Sequence, residues 1–123
     1  MYYGSAWELD ASLIEDWIVG LGSEDYDQVF AALRVLSREG PTLGRPLVDT
    51  IKGSTVKNLK ELRPGSTGRS EIRILFAFDP TRRAILLVAG DKAGNWQRWY
   101  TKNIPVAERR YRTHLDHLRK GQL

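Results

Sequence analysis

The segment from Glu71 to Ala89 constrains the fold more than any other part of the chain. Over Glu71–Phe78 the side chains alternate, with Ile72, Ile74, Phe76 and Phe78 on one face and Glu71, Arg73, Leu75 and Ala77 on the other. That period of two is the signature of a β-strand. Asp79-Pro80 then begins a turn, and Ala84–Ala89 is a continuous apolar run expected to form a central strand. Val56–Arg63 supplies a third strand on the other side, joined through the turn-forming residues Pro64–Ser70. Three consecutive antiparallel strands are therefore expected, and a sheet with an apolar face needs helices to cover it.

Those helices are legible upstream. Leu13, Ile14, Trp17, Ile18 and Leu21 recur at helical spacing, with Asp10 as a candidate N-cap and Gly20 and Gly22 as the ending. A second pattern runs from Ser23 through Tyr26, Val29, Phe30, Leu33 and Leu36, and Gly40-Pro41 stops it. The short link between them predicts an antiparallel hairpin whose acidic residues face solvent. Tyr2–Trp7 has the character of an edge strand, residues 40–55 read as a connector, and Pro105 suits the first position of a last helix. The expected fold class is α+β: a small antiparallel sheet, an N-terminal two-helix hairpin packed on one face, and a C-terminal helix. With 123 residues, one domain over 1–123 is expected.

The charge is divided unevenly along the chain. Residues 1–51 carry three arginines against nine carboxylates, whereas residues 52–123 carry sixteen cations against six carboxylates. A basic sheet and last helix beside an acidic N-terminal part suggest a polyanionic partner, with nucleic acid the leading candidate. The absence of cysteine excludes a disulfide scaffold, a zinc ribbon, an iron–sulfur site and a thiol nucleophile. No run is long enough to cross a bilayer and no leader pattern is visible at Met1–Trp7, so a cytoplasmic location without membrane contact is expected.

Two strings have the same form, Glu61-Leu62-Arg63 and Glu71-Ile72-Arg73. Each sets a carboxylate and a guanidinium on one face of a strand and an apolar residue on the other. Pairing symmetric about Thr67 would put Arg63 opposite Glu71 and Glu61 opposite Arg73. That is a ladder of ion pairs worth about 0.2–1 kcal/mol each. The same arginine-bearing face, if left open, would be a phosphate-binding platform. Downstream, Gly90–Lys102 sets Lys92, Arg98 and Lys102 among Trp96, Trp99 and Tyr100. Cations neutralise phosphates while aromatic faces stack unpaired bases, which suits single-stranded RNA. One of Trp96 and Trp99 is expected in the core and the other partly exposed. Lys57, Lys60, Arg69 and His114 complete the candidate RNA-binding set.

The basic part has six scattered carboxylates, mostly beside cations, and His114 and His117 lack an upstream ligand pair. Neither a metal site nor another cofactor is expected. RNA can be cut without a metal when its own 2′-hydroxyl attacks the adjacent phosphate, given a base, an acid and cations around the developing charge.

Taken in order, these features resemble the RelE/ParE superfamily of type II toxins, and within it the phage-derived HigB-like branch. The resemblance covers about residues 7–118. It rests on the two-helix start, the Gly40–Pro46 connector, the Glu-Leu-Arg string ending at Arg63, and the Arg73–Phe78 strand. The apolar strand Ile85–Val88, the Gly/Lys stretch after it and a last helix bearing Ala107 complete it. The resemblance implies a small toxin that cleaves mRNA, usually on the translating ribosome, by a metal-free mechanism on the concave face of its sheet. It also implies a cognate antitoxin, expected to be a helix-turn-helix protein, so that DNA is met only indirectly. Arg63 and Arg73 match the two arginines that face the scissile phosphate, and Lys92 the basic residue after the last long strand. Tyr100 and Lys102 fall where relatives carry further aromatic and basic groups, and Glu61 is a candidate base. Such relatives often have two adjacent lysines where this chain has Lys92 followed by Ala93-Gly94-Asn95, which leaves the general acid and base open. Two other readings are a ParE-like inhibitor of DNA gyrase without nuclease activity, and a non-catalytic RNA-binding phage remnant.

Overall fold

The computed structural model describes residues 6–66 and 68–121. Five strands form one sheet: β1 (Glu8–Asp10), β2 (Val48–Thr50), β3 (Lys60–Leu62), β4 (Ile72–Phe78) and β5 (Arg83–Asp91). Their spatial order is β1-β5-β4-β3-β2. β2, β3, β4 and β5 pair antiparallel, while β1 lies parallel to β5 with Leu9 opposite Ala84. The sheet is thus mixed rather than purely antiparallel. Residues 2–5 of the expected edge strand lie outside the described residues; the strand that flanks β5 is Glu8–Asp10. β5 has a neighbour on each side, as its continuous apolar run predicts.

Each face of the sheet carries helices. After a 3₁₀ turn at Ser12–Ile14, α1 (Glu15–Val19) and α2 (Ser23–Glu39) cover one face. There Ile14, Val29, Leu33 and Leu36 pack against Ile72, Ile74, Phe76, Ala84 and Leu86. The other face is not left open as the strand pattern alone allowed. α3 (Trp96–Arg119) lies across it, with Ala107 and Tyr111 against Leu75, Ala77, Ile85 and Leu87. A bulge at Leu75/Phe76 in the β4–β5 register sends both Leu87 and Val88 to this second core. The Leu87 carbonyl accepts from Arg110 Nη1 at 2.6 Å.

Three elements depart from the periodicity. Tyr26 and Phe30 are exposed and stack on each other with centroids 6.1 Å apart; Ala32 takes a place in the buried stripe of α2 instead. α3 begins at Trp96 rather than at Pro105, which sits inside the helix. Burial of Trp99, Tyr100 and Ile104 against the second core holds the helix through the proline. Asp10 closes β1, and its carboxylate accepts from the Ser12 amide and hydroxyl at 3.0 and 2.7 Å, anchoring the 3₁₀ turn. Gly40 ends α2 at φ 61°, and a Cβ there would lie 2.3 Å from Trp7 Nε1, so conformation and space both require glycine. No helix among the described residues is long and apolar enough to cross a membrane.

Candidate active site

α3 covers the sheet incompletely, and a cleft of about 550 Å³ remains between its first turns and the ends of β2, β3 and β4. Glu61, Arg63, Arg73, Lys92 and Tyr100 all line it. Alternation explains the first three. Leu62, Ile72 and Ile74 are buried in the first core, which drives Glu61, Arg63 and Arg73 to the opposite face.

The register differs from the symmetric one. β3 pairs Glu61 with Leu75 and Leu62 with Ile74, a slip of two residues from pairing about Thr67, itself outside the described residues. An even slip leaves every side chain on its face but changes its partners. Glu61, only 4% exposed, accepts from Arg63 Nε and Nη2 at 3.1 and 2.9 Å. Its other oxygen accepts from the Tyr100 hydroxyl at 2.5 Å and stands 3.8 Å from Arg73 Nε. Arg63 also reaches Asp49 at 3.4 Å. Glu71 pairs with Lys92 at 2.7 Å rather than with Arg63, and the Lys92 ammonium holds its carboxyl below the usual carboxylate range.

Two electrostatic features matter for chemistry. Burial, together with the hydrogen bond to anionic Glu61, pushes the Tyr100 hydroxyl up to about 12, so it keeps its proton at neutral pH. Arg73 donates from Nη1 to the Ile72 carbonyl at 2.8 Å, but its shielded Nε has no hydrogen-bond partner among the described residues. An unmet donor of this kind costs about 1–3 kcal/mol, which the Glu61 carboxylate 3.8 Å away offsets in part.

The candidate RNA-binding residues separate into groups. Trp96, 58% exposed, stands at the cleft, while Trp99 is half-buried in the second core, the division the sequence predicts. Arg98 and Lys102 face a neighbouring hollow of about 350 Å³ on the other side of α3. Lys57 and Arg69 are exposed in loops away from the cleft lining. Lys60 is corrected: it alternates with Glu61, so it points to the opposite face, with its ammonium 5.9 Å from the Phe78 ring centroid. His114 is also corrected. It is 7% exposed, and Nε2 lies 2.7 Å from Asp79 Oδ2, so it ties α3 to the β4–β5 turn rather than facing a ligand. No three His, Cys, Asp or Glu side chains among the described residues come together to hold a metal. Asp49 and Lys52 line the cleft without a signal in the sequence, because they lie within residues 40–55, an aperiodic stretch expected to be a connector that nonetheless forms β2.

Fold and cleft together define a small α+β domain that presents two arginines around a buried carboxylate. Residues 16–112 match the family described as Phage derived protein Gp49-like (DUF891), and the chain belongs to it. It is 58% identical over 109 residues to a Mycobacterium tuberculosis protein named "Putative toxin HigB2", covering 89% of this chain and 54% of that one. With "Putative toxin HigB3" of the same organism the identity is 56% over 97 residues, 79% of this chain and 82% of that protein. The chain spans about half the length of the first relative and most of the second. The expected HigB-like membership therefore stands. No solved structure matches the chain significantly.

Proposed function

We propose that the protein is the toxin of a toxin–antitoxin system and that its cleft cuts mRNA, on the translating ribosome, until a cognate antitoxin neutralises it. The relatives named as HigB toxins support the toxin role. The observation that carries the chemistry is the pair of guanidiniums, Arg63 and Arg73, lining one cleft around Glu61. Two forks facing one cleft suit a phosphate, whose oxygens accept from both.

With the scissile phosphate there, the 2′-hydroxyl of the preceding ribose attacks phosphorus and the bond to the 5′-oxygen breaks. The products are a 2′,3′-cyclic phosphate and a 5′-hydroxyl. Arg63 and Arg73 neutralise charge on the non-bridging oxygens as it grows. Glu61 accepts the 2′-hydroxyl proton, and Lys92 supplies a proton to the departing oxygen. Tyr100, fully protonated at neutral pH, orients Glu61 by its hydrogen bond. Trp96 offers an exposed indole on which a base beside the cut can stack. The carboxylates of the cleft are each held by a cation or a phenol, which favours this route over one built on a ligated metal.

Adding the purified protein to translating ribosomes tests the proposal. Codon-positioned cuts in the mRNA are expected, with loss of cutting and an unchanged circular-dichroism spectrum in the Arg63→Ala/Arg73→Ala variant. Intact mRNA together with blocked supercoiling by gyrase would overturn it. So would full activity in the double variant.

A further inference from the structure

Lys52 lies at the end of the cleft remote from Lys92, in a loop the proposed chemistry does not use. Its side chain is exposed, and no ion pair or hydrogen bond engages the ammonium among the described residues. Sheet order shows what it could meet. Lys92 follows β5 and Lys52 follows β2, with Arg73 on β4 and Arg63 after β3 between them. Adjacent strands lie about 4.8 Å apart and β2 runs antiparallel to β5, so Lys52, beyond the Thr50–Lys60 pair, stands at the other end of the strands from Lys92 and the cations spread diagonally over more than about 20 Å. One phosphate occupies only the two arginines. A ligand that reaches the outer lysines as well has to be a chain of phosphates.

The loop that carries Lys52 is fastened. After Gly53, at φ 80°, Ser54 Oγ and the Thr55 amide both donate to Glu108 on α3, at 2.7 and 2.8 Å. The Val56 amide donates to Ser54 Oγ at 3.0 Å, and Arg112 donates to Thr55 Oγ1 at 3.2 Å. Lys52 is therefore held relative to the same helix that presents Trp96 and Tyr100 to the cleft. A lysine on a fixed loop loses less entropy on meeting a phosphate than one on a free loop.

We propose that Lys52 binds a backbone phosphate flanking the one that is cut, and that Glu108 is the positioning residue that holds its loop against α3. The ligand is a single-stranded polynucleotide running diagonally over the sheet from the end of β5 toward the end of β2, and the proposal rests on the reading of the cleft as an RNA site. Fluorescence anisotropy of the full chain with a single-stranded DNA oligonucleotide tests it, because DNA lacks the attacking 2′-hydroxyl and stays intact. Lys52→Ala should weaken binding several-fold and reduce the slope of log affinity against log salt by about 0.7, one single-strand phosphate contact. Lys52→Arg should keep the slope. Glu108→Ala should weaken binding, and the double variant Lys52→Ala/Glu108→Ala should bind no worse than Lys52→Ala alone. Wild-type affinity and slope in Lys52→Ala would overturn the proposal, as would absence of binding by the wild-type chain. Full additivity in the double variant would remove the role of Glu108. Lys52 is an exposed side chain, so the fold is not at stake in its variants. Lys52-dependent binding with mRNA left uncut would refute the cutting alone, and cutting with Lys52-independent binding would refute this proposal alone.

Discussion

Tyr100 donates its hydroxyl proton to Glu61 across 39 residues of chain, joining the first turns of α3 to the middle of β3. The bond places a helix-borne phenol and a strand-borne carboxylate within one buried group that also includes Arg63 and approaches Arg73. Removing the hydroxyl with Tyr100→Phe leaves a Glu61 oxygen facing only the more distant Arg73. The expected cost is about 1–3 kcal/mol of stability, the usual range for stranding a buried acceptor. A lower urea midpoint together with slower mRNA cutting checks it; an unchanged midpoint would refute the structural role of the bond.

Arg73→Lys keeps the charge but removes the planar fork and its shielded Nε. If that fork stabilises the transition state, cutting should fall by about 10²- to 10³-fold, the size seen when one oxyanion donor is lost. Rates measured on translating ribosomes decide this, with the melting temperature as the control for folding.

Acid should weaken the molecule partly through Asp79. Burial opposes its charge, but His114, Thr81 and the amides of Thr81 and Arg83 outweigh that and hold the carboxyl below its ordinary 3.8. A lowered folded-state value means the stabilisation is complete above the unfolded value and is lost as pH falls through the folded one. The stability difference between wild type and Asp79→Asn should therefore be largest near neutral pH and shrink below about pH 4. Urea midpoints recorded from pH 7 to pH 2 test the trend, and a constant difference would contradict it.

Gly40→Ala should destabilise the chain by more than about 1 kcal/mol, since alanine pays for a positive φ and its Cβ would enter the Trp7 indole. Thermal denaturation measures the loss. Gly22→Ala, with nothing within 4 Å of the added carbon, is the matching control.

Much of the site was legible before the fold. Alternation in Glu61-Leu62-Arg63 and around Arg73 is a local property of extended chain. Once Leu62, Ile72 and Ile74 are recognised as core, the charged residues must share the other face. The mixing of cations and aromatics after β5 marked Lys92, Trp96 and Tyr100 in the same way. Lys60 falls outside the cleft because charge alone does not reveal a residue's phase relative to Glu61. The burial of His114 is not legible locally, because its partner Asp79 lies 35 residues earlier.

The sequence by itself determined the types of the long elements, the faces of β3 and β4 and the set of arginines, because these depend on neighbours two to four positions away; β2, inside the expected connector, and the first turns of α3 were not among them. Only the tertiary structure decided the strand register, the helix running through Pro105, the covering of the second face by α3, and the meeting of Tyr100 with Glu61. Those depend on which distant surfaces bury one another, and the free energy of that burial overrides local preference. The cleft exists because α3 covers the sheet only in part, and Lys52 joins it because Glu108 fastens a connector that has no pattern of its own.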